Sequence, residues 1–218
     1  MIRFVLASAS PARRHLLAAA GIDAEVVVSG FDESTVDCAD ARTLCLTLAR
    51  EKAESVAARL TEAAPGARRG PATPGGPGGV AGDVLVLGCD SVLEFDGAVL
   101  GKPTDADEAT RRWRTMRGRA GVLHTGHCLL QPGTGKRGEA VASTVVHFAD
   151  VTDAEIAAYV ETGEPMRVAG GFTIDGRGGM FVESIEGDHS NVIGLSLPLL
   201  RRLAGGLGVQ LTDAWRMR

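Results

Sequence analysis

Cysteine is scarce: the chain of 218 residues holds four, Cys38, Cys45, Cys89 and Cys128. None stands in a CxxC pair and their spacing is wide. A disulfide-stapled scaffold and a zinc ribbon are thereby disfavoured, and reduced, mostly buried thiols fit better. Long hydrophobic runs are also missing. No apolar stretch approaches the roughly 20 residues needed to span a bilayer. The apolar start is too short for a secretory leader and is followed at once by Arg13 and Arg14. Nor is there a surplus of positive charge. A formal net charge of −4 offers no general surface for a nucleic acid polymer, although a local basic cluster could hold a small phosphorylated ligand. These absences imply a soluble cytoplasmic protein with neither membrane nor nucleic acid as partner. The length suits one domain, 1–218, with a substantial core.

What is present begins at the N-terminus. Ile2, Phe4, Val5 and Leu6 predict a buried strand, followed by Ser8, Ser10, Pro11, Ala12 and Arg13 and then a helix carrying Leu16, Leu17 and Ala20. Ser10 suits an N-cap and Pro11 the first helical turn. A strand running into a capped helix leaves backbone N–H groups free for an anion, and two hydroxyls and two arginines at the same place favour phosphate. Gly21 suits the helix end, and 23–28 predicts a second strand. Asp32 and Glu33 then lie in a loop, where the bland reading is a solvated turn. A helix is expected from 40 or 41 to 59, with Leu44, Leu48, Ala49, Ala53 and Val56 on one face and Lys52 opposite some of them, where its bland reading is an ordinary solvated lysine.

The stretch 63–82 is rich in proline and glycine and reads as a low-complexity loop insertion without chemistry. Val84 to Gly88 predicts a strand buried on both faces, ending in Cys89-Asp90-Ser91, the place where ligand sites of α/β folds gather. A second strand, 92–95, and an Asp96-Gly97 hairpin lead to Gly101-Lys102-Pro103 and a helix over 105–116. Paired strands are expected at 122–130 and 139–148. His124 and His127 lie three apart on the first of these, face opposite sides and cannot easily share a metal ion. Thr152 opens a helix with a capping box, stopped by Gly163-Glu164-Pro165. Residues 170–182 read as short strands with an Asp175-Gly176 turn, 185–191 as a polar loop, 198–207 as a last helix and 209–218 as a loosely held tail.

The order of these pieces is specific. Ser8-Ala9-Ser10-Pro11-Ala12-Arg13, Asp32-Glu33, Lys52, Cys89-Asp90-Ser91 and Gly101-Lys102-Pro103 are followed by Ala169-Gly170-Gly171-Phe172-Thr173-Ile174-Asp175-Gly176. Gly187-Asp188 and Asn191-Val192-Ile193-Gly194-Leu195 complete the set. Together they resemble the Maf family of nucleoside triphosphate pyrophosphatases over nearly the whole chain. The resemblance implies an α/β fold akin to the inosine triphosphate pyrophosphatases: a mixed twisted sheet flanked by helices, in two lobes with a central cleft. It implies hydrolysis of a nucleoside triphosphate to the monophosphate and pyrophosphate with Mg²⁺ or Mn²⁺, and often a homodimer. Asp90 matches the family's proton acceptor and Glu33 the acid near the metal. Ser8, Arg13, Lys52 and Lys102 match groups around the phosphates, joined there by the Ser10 hydroxyl. The chemistry of the residue types agrees. Water attacking phosphorus needs a base, Mg²⁺ takes one or two carboxylates with phosphate oxygens and waters, and cations offset charge on the departing pyrophosphate.

Three positions depart from the members that act on thymidine and uridine triphosphates. Those carry a second arginine, a threonine and a glutamine where this chain has Ala12, Ser91 and Asp175. An ionised aspartate only accepts hydrogen bonds, so it suits a base edge with two donors, such as guanine; the branch acting on 7-methylguanosine triphosphate also has an acid there. The expectation is a guanine-type or modified base and weak dTTP and UTP activity, unless Asp175 merely shapes its turn. The alternative to catalysis is a nucleotide-binding regulator of septum formation, the process from which the family takes its name.

Overall fold

The structure is a computed structural model that describes residues 2–36, 38, 40–62 and 84–215. The expected 63–82 loop lies outside the described residues. Phe4, Val5 and Leu6 are buried in β1 (Arg3–Leu6), and α1 (Pro11–Ala19) follows with Ser10 as N-cap, its hydroxyl accepting from the Arg13 amide. Gly21 closes that helix at φ 81°, a left-handed conformation that costs glycine little. β2 (Ala24–Val26) then pairs parallel to β1 and is shorter than the apolar run foretold.

The central strand is β3 (Val84–Phe95). Two strands were expected here, broken at Cys89-Asp90-Ser91. One continuous strand forms instead, because β5 (Ala120–Gln131) pairs antiparallel with it from Val86 to Glu94 without interruption. The other edge of β3 is shared. β1 runs parallel beside Val84–Leu87, and β4 (Ala98–Leu100) returns antiparallel beside Leu93–Phe95 across the Asp96-Gly97 turn. Both turn residues have positive φ, 51° and 76°, as a tight hairpin requires. Among the described residues no strand pairs with β3 between these two partners on that edge. This gap is where Asp90 and Ser91 lie.

β6 (Lys136–Phe148) and β7 (Val182–Glu186) extend the sheet, giving the order β2-β1-β3-β5-β6-β7 with β4 beside β3. One face of the β1 side packs Phe4, Leu6, Leu85, Leu87 and Leu129 against Leu17 of α1 and Leu200 of α6 (Leu197–Gly206). The opposite face packs Val5 and Val86 against Ala49, Ala53 and Val56 of α2 (Ala41–Glu62). The far lobe gathers on Trp113 of α3 (Ala106–Met116), whose ring meets Phe148, Tyr159 of α4 (Asp153–Glu161) and Phe181 edge-on at 5.5–5.8 Å. The Asp105 N-cap of α3 and the Thr152–Glu155 capping box of α4 form as the sequence indicates.

Three segments differ from expectation. Residues 170–182 are not strands before β7: Gly170 and Gly171 have φ of 70° and 72°, which no strand accommodates, and 3₁₀ turns form at Ala169–Gly171 and Arg177–Phe181. The 185–191 stretch is the end of β7 and the start of α5 (His189–Ile193), capped by Asp188. The tail is held as far as Trp215, which bridges to Ile22, while Val209, Leu211 and Ala214 pack on the lower core.

α2 lies unusually close to the sheet. A Cβ at Gly88 would stand 2.0 Å from the Ala49 carbonyl oxygen, and one at Gly126 would stand 2.1 Å from that of Cys45. Backbone cannot retreat from such contacts without moving the helix. Gly88→Ala is therefore expected to lower stability by about 3 kcal/mol or more. Gly205→Ala, on an exposed helical site with nothing within 4 Å, is expected to raise it by roughly 0.5–1 kcal/mol. Urea unfolding midpoints of the two variants check both.

Candidate active site

The close seat of α2 carries Lys52 to the sheet. The bland reading of Lys52, a solvated lysine opposite the apolar face, fails: it is buried, on the same helical face as Leu48, Ala49, Ala53 and Val56. It tolerates burial because its ammonium reaches Asp90 Oδ1 at 2.6 Å and Glu33 Oε1 at 2.7 Å. Asp90 is itself only 8% exposed. Burial pushes its carboxyl above the usual aspartate range, against the opposing pull of the Lys52 and Arg13 charges. Glu33 is largely exposed and comes from a short 3₁₀ turn, Glu33–Thr35, whose N-cap Asp32 accepts from the Ser34 amide at 3.1 Å.

Arg13 enters from the start of α1 and is 9% exposed. Its Nε donates to the Gly194 carbonyl at 2.7 Å, Nη1 to Ser8 Oγ at 3.1 Å and Nη2 to Ser91 Oγ at 3.0 Å. All three acceptors are neutral, and among the described residues no carboxylate lies within ion-pairing distance of it. Ser91 Oγ also lies 2.9 Å from Thr125 Oγ1, which donates to the Asn191 carbonyl at 3.3 Å. Ser8 Oγ accepts from the Ser10 amide at 3.2 Å. Lys102 is exposed in the turn after β4; the preceding carbonyl, Gly101 O, accepts from Gly170 N–H at 3.0 Å and Arg112 Nη1 at 2.6 Å.

These groups open on one cleft of about 710 Å³ beside the gap in β3. Of the residues given a site role from the sequence, all but Asp90 line it: Ser8, Ser10, Ala12 and Arg13 from β1 to α1, Glu33 and Lys52, Ser91 on the sheet, and Lys102 and Asp175; Asp90 meets it through Lys52. Asp175 is exposed, and its turn owes nothing to a left-handed glycine, since Gly176 has φ −127°. Glycine is needed there for space: a Cβ would stand 2.7 Å from Thr173 Oγ1 and 2.9 Å from Glu164 Oε1.

Other functional-looking groups gave less signal. Asn191 is wholly buried and donates to the Leu123 carbonyl and Thr144 Oγ1, while its Oδ1 has no partner among the described residues. Its motif was visible, its supporting role was not. Glu164, which also lines the cleft, read only as a helix stop. His124 and His127 do face opposite sides. His127 accepts from the Ser196 amide through Nε2, which places its proton on Nδ1 toward the Thr125 carbonyl, and burial holds its pKa down at about 4. His124 bonds Ser143 and Glu94 instead. Among the described residues no three His, Cys, Asp or Glu side chains gather as a metal-holding group.

Removing the ammonium leaves Asp90 buried beside Glu33 without its ion-paired partner, and only the more distant Arg13 charge opposes its burial. Lys52→Met is expected to cost about 3 kcal/mol at pH 7. The folded-state Asp90 carboxyl then rises further above its unfolded value, so the folded protein takes up the proton first and part of the loss is regained as pH falls toward 4. Urea unfolding of wild type and variant at the two pH values tests this; an equal loss at both would exclude it.

The family profile described as Maf-like protein matches residues 3–206. The chain is 58% identical over 214 residues to a protein of Salinispora tropica, covering 98% of this chain and 88% of that one. It is 53% identical over 216 residues to one of Streptomyces avermitilis (99% and 96% covered) and 48% identical over 215 residues to one of Gloeothece citriformis (99% of each). All three relatives bear the name nucleoside triphosphate pyrophosphatase. With a profile that spans nearly the whole chain and relatives matched over almost their full length, the chain belongs to the Maf-like protein family.

Proposed function

We propose that the protein hydrolyses a nucleoside triphosphate to the nucleoside monophosphate and pyrophosphate, the activity named for its relatives. One observation carries the reading: Arg13, a buried guanidinium with only neutral partners, opens on the cleft at the start of α1. A buried cation with no carboxylate in ion-pairing contact among the described residues favours an anionic guest, and a helix N-terminus adds free N–H groups for it. The triphosphate would lie between Ser8, Ser10 and Arg13 on one side and Lys52 and Lys102 on the other. Water attacks the α-phosphorus, Asp90 takes its proton, and the bond to the bridging oxygen of the departing pyrophosphate breaks. A base works best when its pKa lies near the operating pH, and burial moves Asp90 in that direction.

The same acids suit a divalent cation. Glu33 and Asp90 each place a carboxylate oxygen within 2.7 Å of one nitrogen, Lys52 Nζ, so both converge on a single cationic point. Two hard oxygen donors, completed by phosphate oxygens and waters, are what Mg²⁺ or Mn²⁺ accepts. An ion held by these two carboxylates beside Lys52 would neutralise triphosphate charge and strengthen the phosphorus as an electrophile. For the base, an exposed Asp175 in the cleft favours an edge with two donors, so guanine-type or modified guanine nucleotides are the preferred class over dTTP and UTP.

Pyrophosphate release from a panel of nucleoside triphosphates with Mg²⁺ or Mn²⁺ tests these points. Asp90→Asn is expected to lower kcat by about 10²–10⁴-fold while nucleotide binding is retained. In wild type, kcat/KM falls as pH drops and Asp90 gains its proton, with the limb above the ordinary aspartate value of about 3.9; the variant lacks that limb. Binding without release by wild type would favour a regulatory nucleotide-binding protein instead. Asp175→Gln is expected to shift the ratio of UTP to GTP turnover upward by about 10–100-fold. dTTP and UTP as the best wild-type substrates would overturn the guanine-type assignment.

A further inference from the structure

Asp175 makes no side-chain hydrogen bond among the described residues, so the backbone around it alone sets where its carboxylate stands. That backbone is gripped by one side chain. Glu164, in the turn after α4, accepts at Oε1 from Thr173 Oγ1 at 2.6 Å, Gly178 N–H at 3.0 Å and Tyr159 O–H at 3.0 Å. Its Oε2 accepts from Arg177 N–H at 3.2 Å. The donors flank Asp175 on both sides. The segment also wraps the carboxylate too tightly for other residues: a Cβ at Gly176 would stand 2.9 Å from Glu164 Oε1, and one at Gly178 would stand 2.4 Å from Tyr159 Oη. The segment's start is fixed separately, with Gly171 O accepting from Trp113 Nε1 at 2.9 Å and Phe172 set edge-on to Phe148 at 5.0 Å.

We infer that Glu164 is a positioning residue for nucleotide selection: its acceptor-only carboxylate shapes residues 173–178 so that Asp175 is presented to the base. This rests on the proposed triphosphate reading for its functional part. Four donors converge on the group and it has none to give, so the ionised form alone satisfies all of them. The hydrogen bonds outweigh burial and hold its pKa below the ordinary glutamate range, so the grip persists at neutral pH. A glutamine of the same shape keeps one acceptor but turns its NH₂ toward a backbone donor, either Arg177 N–H or Gly178 N–H.

The test is Glu164→Gln in the full chain, read in two ways. Amide hydrogen exchange without nucleotide should show protection lost at Arg177 or Gly178 by about tenfold, the equivalent of one weakened hydrogen bond, with β3 and α2 unchanged. Kinetics over triphosphates that differ only in base should show KM for the preferred nucleotide raised about tenfold and the spread between bases narrowed, with kcat within about threefold. Unchanged exchange at 177 and 178 would overturn the inference. So would exchange that rises throughout the fold, or a kcat lowered equally for every base, since a general structural role predicts these. If wild type released no pyrophosphate, the enzymatic reading would fall; the exchange arm and base-dependent nucleotide binding would still decide the role of Glu164.

Discussion

The site depends on how closely one helix can approach the sheet. Side chains normally hold a helix about 10 Å from the sheet it covers. Here Gly88 and Gly126, neighbours on β3 and β5, remove that spacing and let the carbonyls of Ala49 and Cys45 come down onto the strands. Lys52, one turn beyond Leu48 and beside Ala53, is thereby delivered to Asp90, two residues past Gly88 on the same face of β3. A bulkier residue at either glycine would lift the helix and pull the ammonium from the carboxylate. The pair is a consequence of backbone packing before it is a matter of charge.

Burying such a pair seldom adds stability, because desolvation of both ions offsets their attraction. The cleft accumulates the cost in two places, Lys52 with Asp90 and Arg13 with neutral hydrogen-bond partners, and next to its lining residue Val192 stands Asn191, whose Oδ1 has no partner among the described residues. A core could have been packed there more cheaply with apolar groups. What the charges supply is a preorganised field at the one place where the edge of β3 changes partner from β1 to β4. The sheet creates the opening, and the three cores around Leu87, Val86 and Trp113 hold its walls while contributing none of its polar groups.

Much of this was legible in the sequence because it is local. The strand into the Ser10 cap, the Asp96-Gly97 turn, the Thr152 capping box and the apolar run that ends at Asp90 each depend on residues within about ten positions. What failed depends on distant partners. Helical pattern alone would leave Lys52 solvated, because it cannot show that a carboxylate waits under it on another strand; only the resemblance placed it at the site. The 84–95 stretch looked broken because Asp90 and Ser91 are polar, yet β5 supplies ladder bonds through them. Residues 170–182 looked short-stranded because glycine patterns do not reveal the sign of φ. Glu164 looked like punctuation since its four donors span residues 159–178 and meet only in the folded cleft.

The three positions that depart from the thymidine- and uridine-acting members are also not equivalent in the fold. Asp175 is exposed and free of side-chain hydrogen bonds among the described residues, so it can meet a ligand directly. Ser91 is joined to Arg13 and, through Thr125, to the Asn191 carbonyl. A change there acts on the guanidinium before it acts on any base. Ala12 lies beside Arg13 on the helix and presents only a methyl group to the cleft, where a second arginine would add charge and reach. The first position is placed to read an edge, the second to hold a cation, and the third to leave room. On the proposed reading, selectivity would therefore rest on a segment whose shape Glu164 sets and on a cation that Ser91 and Ser8 hold, both lining the same cleft.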